Sequence, residues 1–107
     1  MYTRETAVEI VKLFAKELIY NGIKLDKAIL FGSYTNEKQN EHSDIDVALV
    51  SNMFSGFGFE DRKLFSKIII KREFIEIDTK TYPTEYFLTG DPFIEEIKRT
   101  GIEIQID

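Results

Sequence analysis

Two stretches decide the fold: Ala28-Ile29-Leu30-Phe31-Gly32-Ser33 and, after ten intervening residues, Asp44-Ile45-Asp46-Val47-Ala48-Leu49-Val50. Each holds a short apolar run of strand length, and each run has polar residues at one end. Side chains on a strand alternate between its faces, so Asp44 and Asp46 project to the same side, about 6.6 Å apart along the chain. That spacing suits two hard cations held roughly 3.5–4 Å apart, with oxygen ligands arriving from both sides. The glycine ending the first run lets a phosphate approach the backbone. Ser33 offers a hydroxyl and a backbone N–H, and it is placed to cap a following helical turn. Together these features predict metal-assisted phosphoryl chemistry on a nucleotide.

The rest of the chain builds outward from this pair. Residues 3–21 predict a helix. Val8, Val11, Phe14, Ala15, Leu18 and Ile19 form its apolar stripe, Thr6 to Glu9 has capping-box spacing, and Asn21-Gly22 supplies the stop. Strands are predicted over 27–31 and 44–51, separated by a polar loop. A loop over 52–59 holds Phe54, Phe57 and Phe59, either folded into the core or exposed to a partner. A helix is predicted over 60–69 and a third strand over 74–81. Asp91 is placed to cap a helix with Pro92 at its first position, and a last short strand falls within 102–106. The expected architecture is one α/β (α+β) domain over 1–107, a small mixed sheet of three or four strands backed by helices.

On the third strand Ile75, Ile77 and Thr79 share one face, while Glu76, Asp78 and Lys80 share the other. Asp78 is the third carboxylate that this pattern delivers beside Asp44 and Asp46, with Glu76 the alternative. Three converging carboxylates repel and raise one another's pKa, a conflict that a divalent metal removes. His42 is the sole histidine and reads as a loop-surface residue. Lys63, Lys67, Lys71 and Arg72 read mainly as solvated cations.

Composition excludes several classes. With 107 residues and 43% apolar content the chain is long enough to bury roughly 65% of its unfolded surface. It has no cysteine, so disulfides and thiolate metal sites are excluded. A net charge of −5 is a poor match to the nucleic-acid backbone. No run approaches the ~18 apolar residues of a membrane span, and no signal-peptide pattern opens the chain, so a cytoplasmic location is expected.

The pattern Gly32-Ser33-x10-Asp44-x-Asp46 resembles the motif of the DNA-polymerase-beta-like nucleotidyltransferase superfamily. The likeness runs from about residue 5 to 107 and is nearest to its minimal nucleotidyltransferase branch. The resemblance implies that Gly32 and Ser33 hold a nucleoside triphosphate, and that Asp44, Asp46 and Asp78 are the catalytic, metal-binding acids. It also implies two Mg2+ ions, with Mn2+ as substitute, and AMP transfer from ATP to an acceptor hydroxyl. Short members of that branch pair with helical HEPN-domain ribonuclease toxins and act as antitoxins by adenylylating a toxin tyrosine. That is the leading expectation for this chain. A non-catalytic binding subunit and an oligomeric enzyme acting on small molecules are the alternatives. Many relatives follow Gly-Ser-Tyr with Ala-Arg-Gly. Here Thr35-Asn36-Glu37 stands instead, and Lys38 is the nearest cation that can substitute.

Overall fold

The computed structural model describes residues 3–35 and 44–106. Four strands form one mixed sheet in the order β3-β2-β1-β4. Strand β1 is Lys27–Phe31, β2 is Ile45–Val50, β3 is Ile77–Tyr82 and β4 is Ile102–Glu103. Central β1 pairs antiparallel with both β2 and β4, whereas β2 and β3 run parallel. The expected mixed sheet backed by helices is therefore the fold observed.

Helix α1 (Arg4–Tyr20) buries Ala7, Val11, Phe14, Ala15 and Leu18. Its cap lies one turn earlier than the Thr6–Glu9 spacing suggested: Thr3 is extended, and its Oγ1 accepts from the Thr6 N–H at 3.1 Å. Placing the start there frees Ala7 to be the first core residue. Asn21 ends the helix as expected.

Each sheet face has its own apolar cluster. On one side α1 meets Ala28, Leu30, Val47, Leu49 and Ile77. Phe54, Phe65 and Phe74 complete this layer around Phe14, with ring centroids of successive pairs 5.2–6.1 Å apart. On the other side Ile29, Phe31, Ala48 and Val50 are covered by Phe87 of helix α4 (Thr84–Thr89) and by Ile94 and Ile97 of helix α5 (Pro92–Thr100). Asp91 caps α5 as predicted, its Oδ1 accepting from the Ile94 N–H at 2.7 Å. Helix α4 carries no signal in the sequence strong enough to separate it from a loop.

Two predicted elements are redrawn by packing. The single helix expected over 60–69 is α2 (Gly58–Arg62), a 3-10 turn at Lys63–Phe65 and α3 (Ser66–Ile69). Asp61, Phe65 and Ile68 must all point inward, and Phe65 leaves helical geometry at φ −135° to achieve this. The third strand begins at Ile77, not at residue 74, because Phe74 sits in a 3-10 turn (Arg72–Phe74) that carries it to Phe14. Ile75 is left exposed, and Glu76 precedes the strand, so neither follows its alternation. Of the loop phenylalanines, Phe54 is core, whereas Phe57 and Phe59 are 73% and 71% exposed.

Asp61 is the polar hinge of this fold and went unnoticed in the sequence. It is 2% exposed. Its carboxylate accepts from the Ser55 N–H (2.8 Å) and Oγ (2.9 Å), the Gly56 N–H (2.9 Å) and Thr81 Oγ1 (2.6 Å). Burial pushes this carboxyl up, but the donors from Ser55, Thr81 and Gly56 outweigh it and hold it below the ordinary range. Each oxygen takes two donors, so Asp61→Asn would aim an amide at two hydrogens. We expect a loss of about 2 kcal/mol in urea unfolding at pH 7. In the wild type this contribution is complete above the unfolded carboxylate pKa of about 3.9, and it is lost as acid titrates through the depressed folded value.

Candidate active site

Strand register assembles the predicted acids. Asp46 lies opposite Asp78 across the parallel β2–β3 pair and opposite Phe31 across the antiparallel β1–β2 pair. Alternation puts Asp46 on the face of Ala48 and Val50, the face covered by α4 and α5. Asp78 and Lys80 occupy the same face of β3, in line with Tyr82, which packs on Phe87 at 5.7 Å. Asp44 is exposed just before β2, two residues from Asp46.

The Asp46 carboxyl is half-buried and its pKa is pushed up to about 6. Burial is the largest cause; the charges of Asp78 and Asp44 add to it, Lys80 draws it back, and a hydrogen bond with the Asp78 side chain raises it again. Two carboxyls sharing a hydrogen bond need a proton between them. Glu76 is not among the groups that act on Asp46, so the structure brings Asp78, not Glu76, to the pair.

The Gly32-Ser33 turn closes over this cluster. Gly32 has φ +82°, and a Cβ built there would be driven into Asp46 Oδ2. Glycine is thus required twice, for its left-handed backbone and for the carboxylate packed against it. Ser33 is not a cap. It is the half-buried middle residue of a 3-10 turn, Gly32–Tyr34. Two further contacts, both invisible in the sequence, fix this turn. Thr35 Oγ1 donates to the Gly32 carbonyl at 2.7 Å. From the start of α1, Arg4 donates to the carbonyls of Tyr34 and Thr35, each at 3.0 Å.

Beside the turn lies a cleft of about 290 Å³, walled by Phe31, Gly32, Thr35, Phe93 and Glu96. A second cleft of about 450 Å³ lies at the far end of β3, between Gly56, Phe57, Tyr82 and Tyr86. The cations on the α2–α3 segment are directed elsewhere: Lys63 pairs with Glu60 at 3.4 Å and Lys71 with Glu17 at 3.0 Å. Lys67 is exposed on α3 and Arg72 is exposed in the turn before β3. Asn36, Glu37, Lys38 and His42 fall outside the described residues.

The donor chemistry fits a divalent cation. Carboxylate oxygens are hard ligands, and a cation between them replaces the shared proton and relieves the repulsion. Among the described residues no group of three or more acidic, histidine or cysteine side chains is arranged to hold a metal ion.

A pH dependence follows. The raised pKa of Asp46 means that the folded state holds a proton that the unfolded chain releases between about 4 and 6. Without metal, stability should therefore rise as pH falls from 7 towards 5. The gain should be below about 1 kcal/mol, reduced from full linkage by solvent screening of a half-exposed group. Thermal melts of metal-free protein at pH 7 and pH 5 check this, and Asp46→Asn should abolish the difference.

The polymerase beta nucleotidyltransferase domain matches residues 9–105. A Methanocaldococcus jannaschii protein, provisionally named a protein adenylyltransferase, is 32% identical over 99 residues, which span 91% of this chain and 97% of that protein. A solved Sulfolobus solfataricus structure, provisionally named a nucleotidyltransferase, superposes with a TM-score of 0.65 at 16% identity over 94% of this chain and 80% of its own. The solved MntA–HpeT toxin–antitoxin structure superposes with a TM-score of 0.55 at 16% identity over 99% of this chain and 75% of that one. At those identities the two superpositions speak for the fold alone. Strand register, the glycine turn and the match over residues 9–105 agree: this chain belongs to the polymerase beta nucleotidyltransferase family and is a nucleotidyltransferase.

Proposed function

We propose that this nucleotidyltransferase moves AMP from ATP to a tyrosine hydroxyl of a helical, HEPN-type toxin partner, silencing it as an antitoxin. The observation that carries the reading is Asp46, held between Asp78 on one neighbouring strand and the Gly32 turn on the other. Support for a protein acceptor comes from the M. jannaschii relative's name. Support for a toxin partner comes from the shared fold of the MntA–HpeT structure.

In this reading Gly32 and Ser33 hold the β- and γ-phosphates, placing the α-phosphorus over Asp44 and Asp46. The same three acids, Asp44, Asp46 and Asp78, would hold two Mg2+ ions, or Mn2+ in their place. When bound, these ions supply positive charge that offsets the charge developing on the α-phosphoryl group and the leaving pyrophosphate. The acceptor oxygen bonds to the α-phosphorus as the bond from that phosphorus to the α–β bridging oxygen breaks. Pyrophosphate departs on the side of the turn. Asp78, on the edge strand, faces the entering hydroxyl and accepts its proton. The polar turn and the carboxylates lie at successive positions across β1, β2 and β3, which gives attacking and leaving oxygens opposite sides of the phosphorus. Phe57 and Phe59, exposed where Phe54 is buried, are the aromatic side chains offered for docking.

The test is to look in the adjacent gene for a small helical protein with an Arg-x4-His-x-Tyr motif, to co-express it with this chain, and to follow with intact-mass spectrometry. The partner should gain one or more AMP units with the wild type and none with Asp44→Asn. A partner left unmodified yet bound and silenced by both versions would instead establish the non-catalytic binding subunit.

A further inference from the structure

We propose that Lys80 is a substrate-binding residue that holds the α-phosphoryl oxygens of the nucleotide from the edge-strand side of the acidic pair. The inference deepens the proposed nucleotide transfer and rests on it. Lys80 lies two residues beyond Asp78 on β3 and is in register with Ala48, two residues beyond Asp46 on β2. Alternation gives all four the same face of the sheet. Ala48 is fully buried and small, so nothing on β2 stands between the Lys80 side chain and Asp46. Lys80 itself is exposed at the sheet edge. Among the described residues its ammonium is the cation that acts on the Asp46 carboxyl.

The order of groups across the sheet selects the phosphate. The turn at Gly32 and Ser33 follows β1, Asp46 lies on β2, and Asp78 and Lys80 lie on the edge strand β3. A triphosphate whose terminal groups sit in the turn extends its α-phosphoryl group towards β3. Lys80 therefore meets the phosphate farthest from the turn. A flexible four-carbon ammonium suits this, because it supplies a point charge without demanding a fixed fork geometry. It also acts in a cluster where three carboxylates otherwise repel the phosphate anion.

Two anionic probes separate this role from general attraction. Mn2+ with α,β-methylene-ATP presents α-, β- and γ-groups, whereas Mn2+ with inorganic pyrophosphate fills the turn with two phosphoryl groups and leaves the α-position empty. In Lys80→Met we expect the analogue to bind roughly 5–20-fold more weakly, and pyrophosphate within about twofold of wild type. That range is the ordinary size of one charge-assisted contact. Mn2+ alone should bind a few-fold more tightly, since a repelling cation has gone. Lys80→Arg should restore most of the analogue affinity. Melting curves of each variant confirm the fold, and titration calorimetry reads the affinities.

Equal loss for both probes would move Lys80 to the terminal phosphates and overturn the assignment. No loss for the analogue, with wild type binding both probes, would make Lys80 a solvated surface residue while the nucleotide site stands. Failure of the wild type to bind either probe with Mn2+ would remove the nucleotide reading itself, and this inference with it.

Discussion

Asp46→Asn is expected to be both inactive and more stable. Asparagine keeps the shape of the side chain but removes the charge that a metal needs, at the position flanked by Asp78 and the Gly32 turn. Losing one well-placed electrostatic group costs roughly 10²–10³ in rate. In the proposed function Asp46 also anchors the metal-bound phosphates, so the loss should reach that range or exceed it. The same change deletes a half-buried carboxyl whose protonation is raised to about 6 by burial and by the charges of Asp78 and Asp44. At pH 7 without metal the variant should therefore melt above the wild type. Residues whose native placement costs stability are the mark of a site selected for chemistry. Initial rates of transfer and melting temperatures measured side by side check both directions. A variant that is active, or inactive only because it is less stable, would remove Asp46 from the reaction.

The second large effect is expected at Gly32→Ala. A left-handed backbone at a residue with a Cβ costs about 1–2 kcal/mol. Here the Cβ also meets Asp46 Oδ2, so either the turn or the carboxylate must move. Nucleotide affinity and rate should both fall by more than tenfold, and the melting temperature should drop. Gly22 provides the control. Its φ is +96°, but no atom lies within 4 Å of a Cβ built there. Gly22→Ala should share the backbone cost and leave nucleotide binding intact. Equal losses of binding in the two variants would mean that the Gly32 effect is conformational only.

These expectations separate what the sequence reveals from what it hides. The acidic pair was legible because an apolar strand interrupted by aspartates at two-residue spacing has few structural explanations. Strand parity puts Asp78 on the face opposite Ile77 and Thr79, and in the structure those two are buried while Asp78 is exposed. The start of that strand was misjudged because residues 74–76 alternate as well as any strand, and only the pull of Phe14 on Phe74 turns them aside. The helix over 60–69 was misjudged for a related reason: periodicity cannot show that Asp61 must reach Ser55, Gly56 and Thr81. Long-range polar contacts of this kind leave no local signature. Arg4 is a further case, joined to the turn by bonds across about thirty positions. Lys80 was read on the correct face, but its value appears only once the register sets it beside Ala48 and Asp46.

The proposed transfer cleaves ATP between the α- and β-phosphates and leaves AMP on a protein. The most direct measurement supplies the wild-type chain and its helical partner with Mg2+ and ATP labelled at either the α- or the γ-phosphate. Stable label on the partner from α-labelled ATP alone, an equal yield of pyrophosphate, and no labelling by Asp46→Asn are expected. Label from the γ-position, or a partner that stays unlabelled while the chain binds ATP and metal, would contradict the proposed transfer.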